Sequence, residues 1–347
     1  MQLGEGGRAT GVNDHEWISI VEQRSNAPVG FTGWMTLPPD AGDNVPSPPD
    51  LPCLATLDAS EPGACFHEYD MPLTVVNDRI LGVRVFFGSG GPFFPFPYLF
   101  TDDGEALPLL PEPGEINFPL PRLLTMVLGS GQGIAASLTN VPVSGFEDDP
   151  VYWTAPAADA GGTLPNQGFA RGPEPTGMDE AERIAARGLE PELPVVYLPG
   201  EDGYALVVLP LLEGGEIGAA LAIEDGRLVG WSDDANGDSH ATIWTQDQGD
   251  FVATALPVPE QATRCEYASA IDANRVAGGC FDEEGARITV IWDLMPEPSL
   301  GAILAPLASE GDGEEAYVTA LAESLAVGWS GFAEEPIPVA WRLPRAR

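Results

Sequence analysis

Lysine is absent from this chain, and basic residues of any kind are few. All 15 basic residues are Arg, against 53 Asp and Glu, so the formal net charge is −38 over 347 residues. Binding to a phosphate backbone requires a basic face, and such a composition therefore excludes nucleic acid as a partner. A solvated acidic surface, as in a salty habitat, explains the charge without a bound cation.

Long apolar runs are missing as well. No segment approaches the run of about 20 apolar residues that a membrane helix needs, and the first residues lack the basic-then-apolar pattern of a signal peptide. We therefore expect no membrane span, and we expect any export signal to lie upstream of Met1.

Cysteine is scarce, and the 4 Cys form two pairs that are close in sequence. Cys265 and Cys280 flank a segment whose central turn would place them opposite each other on neighbouring antiparallel strands. Cys53 and Cys65 would close a short loop in a Pro-rich insertion. Two local disulfides are favoured over a metal site or a nucleophile, and they would indicate an oxidising compartment. Other pairings and free buried thiols stay open as alternatives.

A repeat is the main positive feature of the sequence. Residues 218–257 contain four short apolar stretches separated by Asp, Gly, Asn and Gln, and four strands in about 40 residues are typical of one β-propeller blade. The same order recurs twice toward the carboxyl end, where Trp244, Trp292 and Trp341 repeat at steps of 48 and 49 residues. The sequence therefore predicts an all-β chain folded as a single β-propeller, with the Trp column packed between blades rather than stacked on sugars.

The spacing of the turns predicts seven four-stranded blades, with six as the alternative because the first two units are the most divergent. The expected blades are 8–60, 70–112, 120–165, 174–213, 217–258, 265–308 and 315–347 with 1–5, and 38–69 is a Pro-rich insertion. The last unit is one strand short, so we expect Gln2 and Leu3 to complete it and close the ring. Residues 178–190 have a helix-friendly composition, but alignment with the other units predicts strand, turn, strand; an inserted helix is the alternative.

The repeat unit resembles the HAF repeat of bacterial exported proteins. The resemblance is carried by residues 9–14 (ATGVND), 228–230 (LVG), 240–244 (HATIW) and 327–329 (VGW). It implies an extracellular, periplasmic or cell-surface location more than an activity, because a shared fold does not supply a function.

Two segments are candidate sites. Asp234, Asn236 and Asp238 have the spacing of the first three ligands of a calcium loop, but Ser239 stands where the sharp-turn Gly belongs. We therefore expect an ordinary acidic hairpin there, with calcium as the alternative and no other cofactor. The first choice for a ligand surface is a Pro-broken aromatic loop in the segment GGPFFPFPYLF, and its aromatic residues are Phe93, Phe94, Phe96 and Tyr98.

No set of nucleophile, base and acid stands out in the sequence. We therefore predict a monomeric, non-catalytic, exported or cell-surface binding scaffold whose partner is a protein or a glycan. The alternative is an enzyme, a hydrolase or lyase, with its site in the central channel. In that case carboxylates from several blades would converge there with an Arg such as Arg79, Arg183 or Arg275.

Overall fold

The structure is a computed structural model, and the regular elements of the described residues are β-strands. The model describes residues 8–12, 18–23, 31–36, 69–76, 79–86, 94–101, 106–108, 122–128, 133–140, 147–153, 161–295, 298–304, 315–322, 325–332 and 335–343. Within these ranges no helix occurs, and none of the described residues therefore forms a helix that could cross a membrane.

The strands form antiparallel sheets that succeed one another along the chain, and we number the sheets in that order. Sheet 1 contains β1 (Arg8–Val12), β2 (Ile18–Gln23) and β3 (Phe31–Thr36); sheet 2 contains β4 (Tyr69–Val76), β5 (Arg79–Phe86), β6 (Phe94–Thr101) and β7 (Ala106–Pro108); sheet 3 contains β8 (Arg122–Leu128), β9 (Ile134–Asn140), β10 (Glu147–Trp153) and β11 (Gly161–Thr163). Sheet 4 contains β12 (Glu174–Met178), β13 (Ile184–Arg187), β14 (Pro194–Gly200) and β15 (Gly203–Val208); sheet 5 contains β16 (Gly218–Glu224), β17 (Arg227–Asp233), β18 (Ser239–Asp247) and β19 (Asp250–Ala255). Sheet 6 contains β20 (Arg264–Asp272), β21 (Arg275–Phe281), β22 (Arg287–Asp293) and β23 (Ser299–Leu304), and sheet 7 contains β24 (Glu315–Ala322), β25 (Leu325–Phe332) and β26 (Glu335–Arg342).

Each sheet is a simple meander whose first strand is the inner one. In sheet 5, for example, β16 is mostly buried and contacts sheets 4 and 6, whereas β19 is largely exposed. Every sheet packs against the next, and β1 of the first sheet lies against all three strands of the last. The ring is therefore closed by packing, which is the arrangement of a β-propeller.

The expected blade composition, seven four-stranded blades with six as the alternative, is wrong. Only five sheets have four strands among the described residues, and sheets 1 and 7 have three each. A unit such as 218–257 has a fourth apolar stretch, which forms the fourth strand of its sheet. Within the described residues, no fourth strand follows β3 in sheet 1 or β26 in sheet 7. Sheets 4 to 7 form a four-blade arc in which nearly all side chains are described. Gln2, Leu3 and nearly all of the insertion 38–69 lie outside the described residues.

Local turn chemistry places the inner hairpins where the sequence predicts them. The segment after β12 is a turn that leads into β13, so residues 178–190 form strand, turn and strand rather than a helix. Cys265 and Cys280 lie opposite each other on β20 and β21 and form a disulfide, which confirms that predicted pair. Cys53 and Cys65 lie outside the described residues.

The recurring aromatic column lies in the core between sheets. Tyr197, Trp244 and Trp292 are fully buried at equivalent positions of the third strands. The indole Nε1 of Trp244 donates to the carbonyl oxygen of Pro210 at 2.7 Å, and that of Trp292 donates to Pro257 at 2.8 Å. The prediction that these rings pack between blades is confirmed, and the rings are not available to a sugar.

Candidate binding site

A β-bulge interrupts the inner strand of every sheet at the same place. The bulged residues are Thr10, Leu73, Leu124, Thr176, Leu221, Ser269 and Thr319. A bulge leaves one residue out of the ladder and redirects its side chain. In a propeller this residue is well placed to contact the neighbouring sheet.

Hydroxyl groups at the bulges connect neighbouring inner strands. The hydroxyl of Thr176 donates to the carbonyl of Ala220 at 2.9 Å, and Ser269 and Thr319 make the equivalent bonds to the next sheet at 2.7 Å and 2.6 Å. Leu221 occupies this position in sheet 5 and has no hydroxyl. The junction between sheets 5 and 6 therefore cannot form this bond.

The junction between sheets 6 and 7 has two further polar bridges. Arg287 Nη1 pairs with Glu315 Oε2 at 2.9 Å, and the hydroxyl of Thr289 donates to the carbonyl of Ala316. The strand register shows which residues of sheet 5 stand at the same places as these two bridging side chains. Ser239 corresponds to Arg287, because each pairs with the last residue of the second strand.

Ala241 corresponds to Thr289 in the same way, since each lies two residues further along the third strand. Sheet 5 therefore has Leu221, Ser239 and Ala241 where sheet 6 has three side chains that reach the next sheet. Two of the three are apolar and the third is short. None of the bridges of the 6–7 junction can form between sheets 5 and 6.

A shallow cavity of about 320 Å³ that is open to solvent lies across this junction. We call it the junction cavity. Its lining residues are Leu221, Trp231 and Ser239 from sheet 5, Glu266, Tyr267 and Arg287 from sheet 6, and Arg187 and Tyr317 from the two flanking sheets. Most of these residues belong to the first or second strand of a sheet, so the cavity is on the inner side of the ring.

Aromatic rings form one wall of the cavity. Tyr267 stacks on Tyr317 with ring centres 5.7 Å apart, and Tyr317 stacks on Trp329 at 5.9 Å. The Tyr267 ring lies directly over Gly279 on the neighbouring strand. Only glycine fits at residue 279, since a Cβ atom at that position would lie 2.5 Å from the Tyr267 ring. In sheet 5 the equivalent cross-strand position holds Trp231 instead. At this cross-strand position, sheet 6 therefore has its large ring on the first strand, and sheet 5 has its large ring on the second strand.

The charged groups of the junction cavity are balanced by ion pairs. Arg187 pairs with Glu174 at 2.8 Å, and Arg264 pairs with Glu266 at 2.7 Å. The second guanidinium that lines the cavity, that of Arg287, has its partner Glu315 in sheet 7. The wall is therefore close to neutral, although the chain as a whole is strongly acidic.

Burial keeps the tyrosine hydroxyls of the cavity neutral. It raises the pKa of Tyr267 and of Tyr317 above the ordinary value for a phenol. Both hydroxyls are therefore protonated at neutral pH and can both donate and accept a hydrogen bond.

The candidate calcium residues form a hairpin loop between β17 and β18. Asp234 Oδ1 accepts the backbone N–H groups of Asn236 at 2.8 Å and Asp238 at 3.1 Å. These bonds, chiefly the one from Asn236, lower the pKa of Asp234 to about 2. Asp282 makes the same loop in sheet 6, as expected for ordinary turn chemistry. The described residues hold no cluster of His, Cys, Asp and Glu suited to a metal ion.

The candidate aromatic surface is part of a strand. Phe94, Phe96 and Tyr98 lie on β6, which pairs with β5 along its whole length. The predicted Pro-broken loop is therefore wrong for these residues, because Pro95 and Pro97 are accommodated within the sheet. Phe93 lies outside the described residues.

A group of carboxylates lies at the opposite ends of the inner strands. We call it the acidic turn cluster, and its members are Asp179, Glu180, Glu224, Asp225 and Asp272. Burial, followed by repulsion from the other four, raises the pKa of Glu224 to about 7. Asp179 also accepts hydrogen bonds from Arg183 Nε at 2.7 Å and from the backbone N–H of Gly226 at 3.0 Å.

Of the three Arg predicted to meet carboxylates in the channel, Arg183 lies at the acidic turn cluster, in contact with Asp179. Arg275 instead pairs with Asp293 at 3.2 Å in its own sheet. The side chain of Arg79 is not among those that the structure describes.

Comparison with known proteins identifies the fold. No family model matches the chain, and none of the curated proteins compared with it matches either. A post-proline cleaving enzyme from Rickettsia typhi matches at 11% identity and a TM-score of 0.54, over 99% of this chain and 53% of the enzyme. Prolyl oligopeptidase B from Galerina marginata matches at 10% identity and a TM-score of 0.57, over 99% of this chain and 49% of the enzyme. The chain thus spans about half the length of these enzymes, and similarity at this level shows the propeller fold alone.

Proposed function

We propose that this protein is a non-catalytic binding scaffold whose ligand occupies the junction cavity. The observation that carries the proposal is that the residues of sheet 5 equivalent to Ser269, Arg287 and Thr289 cannot form the bridges that these three side chains make from sheet 6 to sheet 7. In their place is a cavity walled by rings and by a few hydrogen-bonding groups. A concave surface that combines aromatic rings with several hydrogen-bonding groups is suited to a small polar ligand.

The walls of the cavity are held in place before a ligand arrives. The stack of Tyr267, Tyr317 and Trp329 fixes one side, and the ion pairs of Arg187 and Arg287 hold the polar side chains. A preorganised site loses little side-chain entropy on binding. A rigid propeller is therefore a suitable frame for recognition without a conformational change.

An exported location is part of the proposal. The Cys265–Cys280 disulfide is consistent with an oxidising compartment. The resemblance to the HAF repeat favours the same location. A mass-spectrometric test for the intact disulfide in protein recovered from its native compartment checks this part.

Binding at the cavity is tested with a thermal-shift screen of small polar compounds. Ligands that raise the melting temperature of the wild-type protein are expected to lose that effect with Trp231→Ala, because the indole is part of the cavity wall. Met295→Ala is the matched control, since Met295 is 62% exposed and does not line the cavity. Equal shifts in the Trp231→Ala variant and the wild type would place the ligand elsewhere.

A second candidate function is supported by Glu224. A carboxyl group whose pKa is near 7 is suited to general acid–base catalysis, and here it lies among carboxylates with Arg183 nearby. We propose a hydrolase or lyase activity in the channel as the alternative. It is tested by assaying wild type and Glu224→Gln on panels of ester, peptide and glycoside substrates; activity that Glu224→Gln abolishes supports it, and identical rates in the two proteins reject it.

A further inference from the structure

We propose that the ligand of the junction cavity is a neutral saccharide. This inference rests on the proposed binding function and names the chemical class of its ligand. Three properties of the cavity lead to it: its charge balance, its mixture of donors and acceptors, and its ring-covered wall.

The charge balance favours a neutral ligand. The guanidiniums of Arg187 and Arg287 are paired with Glu174 and Glu315, and Glu266 is paired with Arg264. An anionic ligand would have to compete with these carboxylates while approaching a chain of net charge −38. A cationic ligand would meet two guanidiniums. A ligand without charge avoids both costs.

The polar groups of the cavity suit a ligand with several hydroxyl groups. Arg187 and Arg287 can only donate hydrogen bonds, the ionised Glu266 can only accept them, and Ser239 and Tyr267 can do both. A hydroxyl group can donate and accept, so neighbouring hydroxyls of one ligand can satisfy all of these side chains. A carboxylate or an amide oxygen could satisfy only the donors.

The ring-covered wall suits the flat, apolar face of a sugar ring. The C–H face of a pyranose covers apolar area when it packs on an indole or a phenol, while its hydroxyl edge stays hydrogen-bonded. Trp231 provides such a surface in the cavity, next to the stacked rings of Tyr267 and Tyr317.

The proposal is tested by isothermal titration calorimetry on the full chain. The neutral probes are D-glucose, D-galactose, N-acetyl-D-glucosamine and maltose, the charged probe is D-glucuronate, and the planar non-sugar probe is N-acetylphenylalaninamide. We expect at least one neutral sugar to bind more tightly than glucuronate. Trp231→Ala should weaken that binding by about tenfold or more, and Met295→Ala should leave it unchanged.

Tyr267→Phe separates an effect on binding from an effect on folding. It removes one hydroxyl and keeps the ring, so the Tyr267–Tyr317 stack and the melting temperature should persist. We expect this substitution to lower the affinity for the best neutral sugar by about threefold or more, because one hydrogen bond to the sugar is lost. Unchanged affinity in both Tyr267→Phe and Trp231→Ala would overturn the assignment of the sugar to this cavity.

The outcomes distinguish the two levels of the proposal. If N-acetylphenylalaninamide or glucuronate binds in a Trp231-dependent manner and no neutral sugar does, the saccharide assignment fails while the binding site stands. If no probe binds the wild-type protein, the saccharide assignment fails, and the thermal-shift screen then decides the binding function on its own.

Discussion

At the scale of single residues, the core between sheets uses one large ring at the end of each third strand. Trp244 and Trp292 satisfy their indole N–H groups with the carbonyl oxygens of Pro210 and Pro257. Tyr197 stands at the same position in sheet 4, but its buried hydroxyl has no hydrogen-bond partner in the structure. A buried ring at this position can therefore pack between two sheets whether or not its polar group forms a hydrogen bond.

Tyr197→Phe should not destabilise the protein and should raise its free energy of unfolding by up to about 1 kcal/mol, because a buried hydroxyl without a partner is removed while the ring is kept. Trp244→Phe is the contrasting variant, since it loses both volume and a hydrogen bond and should cost about 2 kcal/mol or more. Urea unfolding followed by circular dichroism measures both. A loss of stability in Tyr197→Phe comparable to that of Trp244→Phe would show that the hydroxyl is satisfied.

Glu224 predicts a pH effect at the same scale. Its pKa is raised from an ordinary value of 4.5 to about 7 in the folded protein, so its protonated form is favoured by folding. Its contribution to stability is therefore complete below pH 4.5, is lost as the pH rises toward 7, and is smallest above 7.

Glu224→Gln should accordingly be more stable than wild type at pH 8, and the difference should shrink toward pH 4. The measurement is the melting temperature of both proteins from pH 4 to pH 9. Glu213→Gln, at an exposed loop position, is the matched control and should show a difference that varies little with pH. A Glu224→Gln difference that is constant across the range would contradict the assignment.

At the scale of secondary-structure elements, the bulge of each inner strand determines how two sheets meet. A Thr or Ser at the bulge donates to the next inner strand, whereas Leu221 leaves sheets 5 and 6 without that bond. The presence or absence of this hydroxyl bond between neighbouring inner strands is therefore set by the residue type at one repeated position.

Thr176→Val and Thr319→Val should each lower the free energy of unfolding by about 1 kcal/mol, because each removes a hydroxyl bond between sheets while keeping the side-chain shape. Leu221→Met is the matched control at the same position of sheet 5, where no such bond exists, and should change stability little. Chemical denaturation of the three variants provides the test. A cost for Leu221→Met equal to that of the two Thr variants would show that the hydroxyls do not connect the sheets.

Features with local signals in the sequence were predictable at this scale. The alignment of the repeat units predicted the hairpin within residues 178–190, and the spacing of Cys265 and Cys280 predicted their disulfide. Prolines in β6 led to a wrong prediction, since Pro within a segment normally argues against a paired strand. The structure instead pairs all of β6 with β5.

The junction cavity could not be predicted, because it depends on which side chains face each other across two sheets. Leu221 and Ser239 are unremarkable in their own segment. Aligning the repeats places Leu221 and Ser239 at the positions of Ser269 and Arg287. This alignment indicates a missing contact between two sheets only when the strand register is known.

At the scale of the whole molecule, the ring is closed by packing between its first and last sheets. Ala9, Val12 and Ile18 share one apolar cluster with Leu325 and Val327. Arg8 adds a guanidinium 5.5 Å from the ring centre of Trp329. Within the described arc, the inner strands of sheets 4 and 5 and of sheets 6 and 7 are joined by a hydroxyl bond at the bulge, whereas those of sheets 5 and 6 are not. The proposed function is located at the junction of sheets 5 and 6.

The most direct test of this account is ligand binding by Ser239→Arg. The substitution introduces at the junction of sheets 5 and 6 the side chain that bridges sheets 6 and 7, with Glu266 within the same cavity as its partner. We predict that the sugar that binds best to the wild-type protein loses at least about tenfold in affinity by calorimetry, while Ser239→Ala loses far less and the melting temperature of Ser239→Arg does not fall. Wild-type affinity in a folded Ser239→Arg variant would contradict the claim that the ligand occupies the junction between sheets 5 and 6.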